Sequence, residues 1–274
     1  LNIRYNLNKG ISCIALFTKH NNSDSKKVSL ILQEKCIERG IKVIDYLLNK
    51  DIFYESNNKK EIDLAIAIGG DGTTLRTFRI LSPDVPVLSI NAGGTRGILS
   101  EVSKDSANSI ISDLLNGNYF LDKRIRLFVK INQRESYFAL NDFVFIRSDL
   151  TKTPTFHLSV YNDSLFQKMD GLIISTPTGS TGHSLSNGGP IIFENLECFL
   201  VSPIASVNRM PSFIIPSLGE ISIYASHDIY LVIDGQQTHE IPKNEKLTIT
   251  RYEYDAVFLR FTKNNLRQLT KLGF

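Results

Sequence analysis

The chain has no tryptophan, only two methionines, and three cysteines in 274 residues. Cys13, Cys36 and Cys198 lie far apart, and their odd number argues against a disulfide framework. They read as buried thiols in a reducing compartment. The five histidines never fall at the close spacing of a zinc-binding helix, so no structural zinc is expected. No apolar run approaches the ~18–20 residues that a bilayer requires. The opening residues carry Asn2, Arg4, Asn6 and Asn8 rather than an apolar core, which makes a cytoplasmic location the expectation. Charge of one sign is lacking too: 31 Lys and Arg against 28 Asp and Glu leave a formal +3. The pairs Lys26-Lys27, Lys59-Lys60 and Lys123-Arg124 are separated by acidic or apolar stretches, so neither nucleic acid nor a membrane is the expected partner. Internal repeats, low-complexity tracts and long linkers are absent as well.

What the chain has is a change of texture near Arg124. Before it, strand-like and helix-like patterns alternate. Ile11 to Phe17, Ile41 to Ile44, Leu64 to Ile68 and Val85 to Ile90 read as strands. Asp24 to Arg39 carries Val28, Ile31, Leu32 and Cys36 near a 3.6-residue period and stops at Gly40, so it reads as a helix. Thr74 to Leu81 and Lys104 to Asn116, the latter capped by Ser103, are expected helices. Such alternation implies an α/β domain with a Rossmann-like parallel sheet. After Arg124, strands dominate: Leu127 to Ile131, Tyr137 to Ile146, Phe156 to Tyr161, Gly171 to Ser175, Ile221 to Tyr224, Tyr230 to Ile233, Lys246 to Thr250 and Val257 to Phe261. The expectation is an α/β domain over residues 1–122, then a β-rich domain over 123–255, with a cleft between them.

The densest chemistry lies in Ala65 to Arg76, AIAIGGDGTTLR. A buried strand ends in Gly69-Gly70-Asp71-Gly72-Thr73 and a helix follows. Glycines let backbone N–H groups approach a ligand, and a helix N-terminus favours anions, so the segment suits phosphates. Asp71 would repel phosphates unless it meets a cation or takes a proton from a hydroxyl. The competing reading is a tight turn in which Asp71 only caps the helix. The segment is neither a P-loop nor the Gly-x-Gly-x-x-Gly dinucleotide fingerprint. A second glycine-rich loop, Asn91-Ala92-Gly93-Gly94-Thr95-Arg96-Gly97, ends the next strand. A third segment, Asp170 to Pro190 (DGLIISTPTGSTGHSLSNGGP), is dense in hydroxyls and amides between core-like flanks. Asn141-Asp142 interrupts an apolar strand. There it would grip a ribose or a base edge, or else mark a bulge. Asp234-Gly235-Gln236 reads as a hairpin turn.

Together these residues resemble the NAD kinase family along most of the chain. Gly-Gly-Asp-Gly-Thr at 69–73 is shared with lipid kinases. The segment 170–181 with the Ser-Leu-Ser and Gly-Gly-Pro after it is specific. The resemblance implies an α/β first domain to which residues 256–274 return, and a β-rich domain that binds NAD. It implies Asp71 as catalytic base, with Gly69, Gly70 and Thr73 in the phosphate loop and Gly72 and Arg76 near the dinucleotide. Asn141 and Asp142 would hold the adenosine ribose and Asp170 the nicotinamide end. Lys168, Thr181, Gly182, His183, Ser184, Ser186, Ala205 and Gln236 match further dinucleotide positions. The implied reaction is transfer of a phosphoryl group from ATP or polyphosphate to the 2′-hydroxyl of NAD. Mg²⁺ would be held mainly by nucleotide phosphates, and the protein would be a homodimer or homotetramer. Asp142 stands where the family usually has Glu, and Gly182-His183 replaces Ala-Tyr. Two rivals stay open: a lipid or sugar kinase with the same loop, and a dinucleotide-binding regulator without catalysis. No apolar substrate groove or membrane-binding face is legible for the first. For the second, a pure binder gains nothing from a carboxylate beside phosphates.

Overall fold

The computed structural model describes residues 10–47, 62–94, 96–132, 135–161 and 163–274. The readings of residues 1–9, Lys59-Lys60 and Thr95 fall outside them. The chain divides into two compact units: Leu1–Lys123 with Ala256–Phe274, and Arg124–Asp255.

The first unit is built on strands β1 (Cys13–Thr18), β2 (Lys42–Leu47), β3 (Leu64–Gly69), β4 (Val87–Asn91), β5 (Val102–Ser103), β6 (Phe120–Arg124) and the chain's last strand, β19 (Ala256–Arg260). They order as β2-β1-β3-β4-β19-β6, with β5 beside β4. The β1–β2, β1–β3, β3–β4 and β4–β19 pairs are all parallel. Parallel strands covered on both faces must be apolar throughout, and β1 and β3 are buried along their whole length. On one face Ile14, Leu16 and Ile66 pack with Val28, Leu32 and Cys36 of α1 (Ser23–Ile37) and with Ile110, Ile111 and Leu114. Phe78 of α2 (Asp71–Ile80) meets Phe258 of β19 edge-on at 4.7 Å between ring centroids. Asn22 caps α1, its side chain accepting the Ser25 N–H at 2.7 Å.

The expected helix from Lys104 to Asn116 is not continuous. A 3₁₀ turn at Lys104–Asn108 and α3 (Ile110–Leu115) replace it. The segment is rich in Ser and Asn, and the Ser109 hydroxyl donates to the Ser106 carbonyl instead of leaving that acceptor to a helix ladder. Ser103 precedes the 3₁₀ turn without a side-chain cap bond to it.

The second unit is two six-stranded antiparallel sheets. Its strands are β7 (Leu127–Ile131), β8 (Glu135–Ala139), β9 (Asp142–Arg147), β10 (Thr155–Val160), β11 (Asp163–Lys168), β12 (Gly171–Ser175), β13 (Cys198–Ile204), β14 (Phe213–Pro216), β15 (Ile221–Ala225), β16 (Ile229–Ile233), β17 (Gln237–Ile241) and β18 (Leu247–Arg251). One sheet runs β11-β10-β15-β18-β7-β8 and the other β14-β13-β12-β9-β16-β17. Alternate residues of both, among them Val129, Phe143, Phe145, Leu158, Leu172, Phe199, Ile223 and Leu231, form one core. The run expected as a single strand from Tyr137 to Ile146 is two. The chain leaves one sheet at Ala139 and enters the other at Asp142, so Leu140 and Asn141 form a corner.

Candidate active site

In the first unit the chemistry gathers where β3 and β4 end. Strand order reverses direction between β1 and β3, and the crevice outside such a reversal is where open α/β sheets bind ligands. Gly69 closes β3 opposite Asn91, which closes β4, so the two glycine loops leave the sheet side by side. They touch: a Cβ on Gly94 would sit 3.0 Å from the Gly70 Cα. Gly69 also has no room for a side chain, because a Cβ there would collide with the Thr73 hydroxyl. The Asn91 amide straps the second loop, accepting the Gly94 N–H at 2.9 Å and donating to the Gly94 carbonyl at 3.1 Å.

Asp71 is the first residue of α2, with Gly70 as the residue before it. The helix therefore starts three residues earlier than the sequence pattern indicates. Both carboxylate oxygens of Asp71 are engaged: Oδ2 accepts the Ile98 N–H at 3.0 Å and Oδ1 the Leu99 N–H at 2.9 Å. A cap-only reading has the side chain turned back on its own helix. Here it reaches the loop after β4 instead. Arg76, half-buried on the next turn of α2, has no carboxylate partner among the described residues.

In the second unit the chemistry centres on the corner at Leu140 and Asn141. The Asp234 carboxylate accepts three successive N–H groups, from Leu140 at 3.3 Å, Asn141 at 2.8 Å and Asp142 at 3.3 Å. From the other side Thr176 donates its hydroxyl to the Leu140 carbonyl at 2.6 Å and its N–H to the Asn141 carbonyl at 2.9 Å. The corner's backbone is thus tied at both poles. Asp234 holds this place because the β16–β17 connection is a tight turn with φ +48 at Asp234 and +65 at Gly235. The sequence shows Asp234 only as a turn residue and Thr176 only as one of many hydroxyls. Their shared grip on residues 140–142 is a tertiary fact.

Asp142 is buried beside Asp234. Burial, and secondly the Asp234 charge, push its carboxyl up to about 7, against the pull of the His183 N–H that it accepts. The Oδ1 of Asn141 is buried with no hydrogen-bond partner among the described residues. Gly179 lies so close that a Cβ would collide with the Asn141 carbonyl. At Gly182 a Cβ would stand 3.7 Å from an Asp142 carboxylate oxygen and 3.8 Å from the Asn141 amide nitrogen. Asn141, Asp142, Gly182 and His183, the first residue of the short α4 (His183–Ser186), therefore form one group, with Thr181 buried next to Gly182.

The other expected residues of this unit stand apart. Asp170 pairs with Arg147 at 3.2 Å, and its N–H donates to the Ile204 carbonyl. Lys168 and Ala205 flank it, the latter exposed with φ +47. This second group is at the start of β12, whereas Asp142 pairs with Ser175 at its end. Five residues of strand separate the groups, roughly 15 Å. Ser186 is exposed on α4 and Gln236 is exposed on its turn. The Ser184 hydroxyl points inward to Ser202 at 2.9 Å.

No group of three or more His, Cys, Asp or Glu residues gathers to hold a metal among the described residues. No helix among them is long and apolar enough to cross a membrane.

Family models match both units. That of the ATP-NAD kinase N-terminal domain covers residues 16–119, and that of the C-terminal domain covers 140–261. An NAD kinase of Thermococcus sibiricus is 37% identical over 214 residues, 76% of each chain. An NAD kinase of Clostridium botulinum (strain Loch Maree / Type A3) is 32% identical over 267 residues, 90% of each. Among solved structures, an Archaeoglobus fulgidus NAD kinase in complex with ATP superposes with a TM-score of 0.76 at 24% identity, covering 95% of this chain and 96% of its own. The yeast NADH kinase complexed with NADH superposes with a TM-score of 0.84 at 18% identity, covering 96% and 86%. These two show a shared fold. With both domains of one family matched in order, and relatives above 30% identity covering three quarters or more of each chain, the protein belongs to the NAD kinase family of phosphotransferases.

Proposed function

We propose that the protein phosphorylates the 2′-hydroxyl of the adenosine ribose of NAD, with ATP as donor, and that Asp71 is the base. The observation that carries this is the double anchoring of Asp71. Each carboxylate oxygen accepts one backbone N–H and keeps a further lone pair, so the group is fixed in direction yet still able to accept a proton. It is fixed where two glycine loops meet at the ends of parallel strands, the place that suits a phosphate chain. A carboxylate is a much weaker base than an alkoxide. The proton therefore moves late, after the bond to the leaving group has loosened, and Asp71 serves first to orient the hydroxyl.

The corner of the second unit is the proposed ribose grip. Asn141 offers a buried carbonyl oxygen without a partner, and Asp142 lies beside it. Lys168, Asp170 and Ala205, a strand's length away, would serve the nicotinamide end, a spacing that favours an extended ligand. The loop amides at Gly69, Gly70 and Gly72 and the Arg76 guanidinium would carry phosphate charge, while the Thr73 N–H closes the turn on the Gly70 carbonyl at 2.9 Å. Ser184 contributes through its place in α4, since its hydroxyl is turned into the core. Mg²⁺ would arrive with the donor, held by its phosphates, and would neutralise their charge. Polyphosphate remains the competing donor, to be compared with ATP in the same assay.

Incubation with ATP, Mg²⁺ and NAD, followed by detection of NADP with an NADP-specific dehydrogenase, tests the reaction. Asp71→Asn is expected to lower turnover by roughly 10²–10⁴-fold, with little change in the KM for NAD. Near-normal turnover in that variant would remove Asp71 from the role of base.

A further inference from the structure

The anchoring of Asp71 depends on where residues 98 and 99 stand, and a second set of contacts decides that. Arg260, at the end of β19, is 2% exposed and donates from Nη1 to the Leu99 carbonyl at 3.0 Å. The same peptide unit's neighbour, the Leu99 N–H, is what Asp71 accepts. Arg260 is itself held in place. Its Nε lies 3.3 Å from Asp122, its guanidinium stands 4.3 Å from the Phe258 ring centroid, and Nη1 is 3.5 Å from Glu101. Glu101 in turn accepts the N–H groups of Phe261 and Thr262 and pairs with Arg267 at 2.6 Å. A path therefore runs from Arg260 on the last strand, through the Leu99 carbonyl, to the two amides that meet the oxygens of Asp71.

We propose that Arg260 is a positioning residue for the reaction: by holding the Leu99 carbonyl it sets the two amides that aim Asp71. This rests on Asp71 being the base. A planar guanidinium suits the task, because it donates in several fixed directions at once, to a carbonyl, to Asp122 and to Glu101. Its neighbour Arg267 provides the contrast. Arg267 shares Glu101 and donates to the Thr262 carbonyl, and among the described residues it makes no hydrogen bond or ion pair with the 98–99 segment. A purely structural cluster would make the two arginines equivalent. A positioning role separates them.

The test compares Arg260→Gln, Arg260→Lys and Arg267→Gln by kcat, by KM for NAD and by thermal midpoint. Both Arg260 variants are expected to lose about 10–100-fold in kcat, the scale of a misplacement near an ångström, with KM for NAD within about twofold of wild type. Arg267→Gln is expected to lower the midpoint and leave kcat within about twofold. In an Asp71→Asn background the Arg260→Gln loss should largely vanish, because both changes act on the same group. Equal kcat losses in the two arginine series, or an Arg260 loss that persists undiminished without the Asp71 carboxylate, would overturn the proposal. So would failure of both Arg260 variants to fold, which would mark the residue as structural. If Asp71→Asn alone keeps near-normal turnover, the base assignment is what fails. If that variant is impaired while both Arg260 variants turn over normally, only the positioning role fails.

Discussion

At the scale of single residues, Asp142 is the group under most tension. Its carboxyl is buried against Asp234 and held up to about 7. Below about pH 4 an aspartate is protonated in both the folded and the unfolded chain. Between about 4 and 7 the unfolded chain releases this proton while the folded one keeps it, so stability falls as pH rises. Above 7 the loss is complete and constant, on the order of 4 kcal/mol. Asp142→Asn removes the titration and keeps an acceptor for the His183 N–H. Its thermal midpoint relative to wild type should rise between pH 4 and pH 7 and then level off. A difference that does not change with pH would show that Asp142 is not held protonated. The tension has a visible origin: Asp234 must be close to grip three amides, and closeness to those amides is closeness to Asp142. Nothing in the local sequence at 141–142 or 234–236 announces this pairing, because the two segments meet only through the β9–β16 register.

At the scale of elements, strands are legible in the sequence where one face alternates or a whole run is apolar. Leu127–Ile131 and Gly171–Ser175 stand as expected. Strands β11, β13, β14 and β17 are not legible in the sequence. Edge positions let β11 and β17 carry polar or charged residues that blur the period, β14 is only four residues long and ends in Pro216, and Pro203 interrupts β13. The start of α2 departs from the sequence pattern for a different reason. Gly-Asp-Gly-Thr has low helix propensity, and the helix begins there because Asp71 is anchored by Ile98 and Leu99. The loop after β12 shows the same dependence on a distant element. Its 3₁₀ turn, Thr178–Thr181, presses Gly179 against the Asn141 carbonyl. Gly179→Ala must push backbone against backbone. It is expected to cost about 1–3 kcal/mol in stability and to raise the KM for NAD more than it lowers kcat. Chemical denaturation and initial-rate kinetics would show this, and a variant with normal stability and normal KM would contradict the close packing.

At the scale of the whole molecule, the chain leaves the first unit at Lys123 and returns to it at Ala256. The second unit closes on itself at that point. Leu127 pairs with Arg251, Tyr252 donates its N–H to the Arg126 carbonyl at 2.9 Å, and the Arg126 guanidinium lies 4.7 Å from the Tyr252 ring centroid. With its ends joined and a core shared by both sheets, residues 124–255 expressed alone are expected to unfold in one cooperative transition. Retained secondary structure without near-ultraviolet circular dichroism or a sharp transition would show that this unit needs the rest of the chain. The first unit lacks that independence in sequence. Its sheet is completed by β19, and Arg260 reaches the Leu99 carbonyl from there, so its first 123 residues alone lack a strand between β4 and β6.

The sequence by itself determined the fold class and the family. Buried parallel strands need continuous apolar runs, half-covered antiparallel strands need alternation, and glycine loops at strand ends need particular residues in a particular order. All three are local patterns. It also marked Asp71, Asn141 and Asp142 as candidate site residues, a carboxylate among glycines that suit phosphates and a polar pair in an apolar run. Only the tertiary structure decided what holds them. The Ile98 and Leu99 amides on Asp71, the Asp234 carboxylate under the Asn141 corner, and Arg260 behind Leu99 join residues 27 to 161 positions apart. Such contacts depend on strand register and sheet order, which no local spacing encodes.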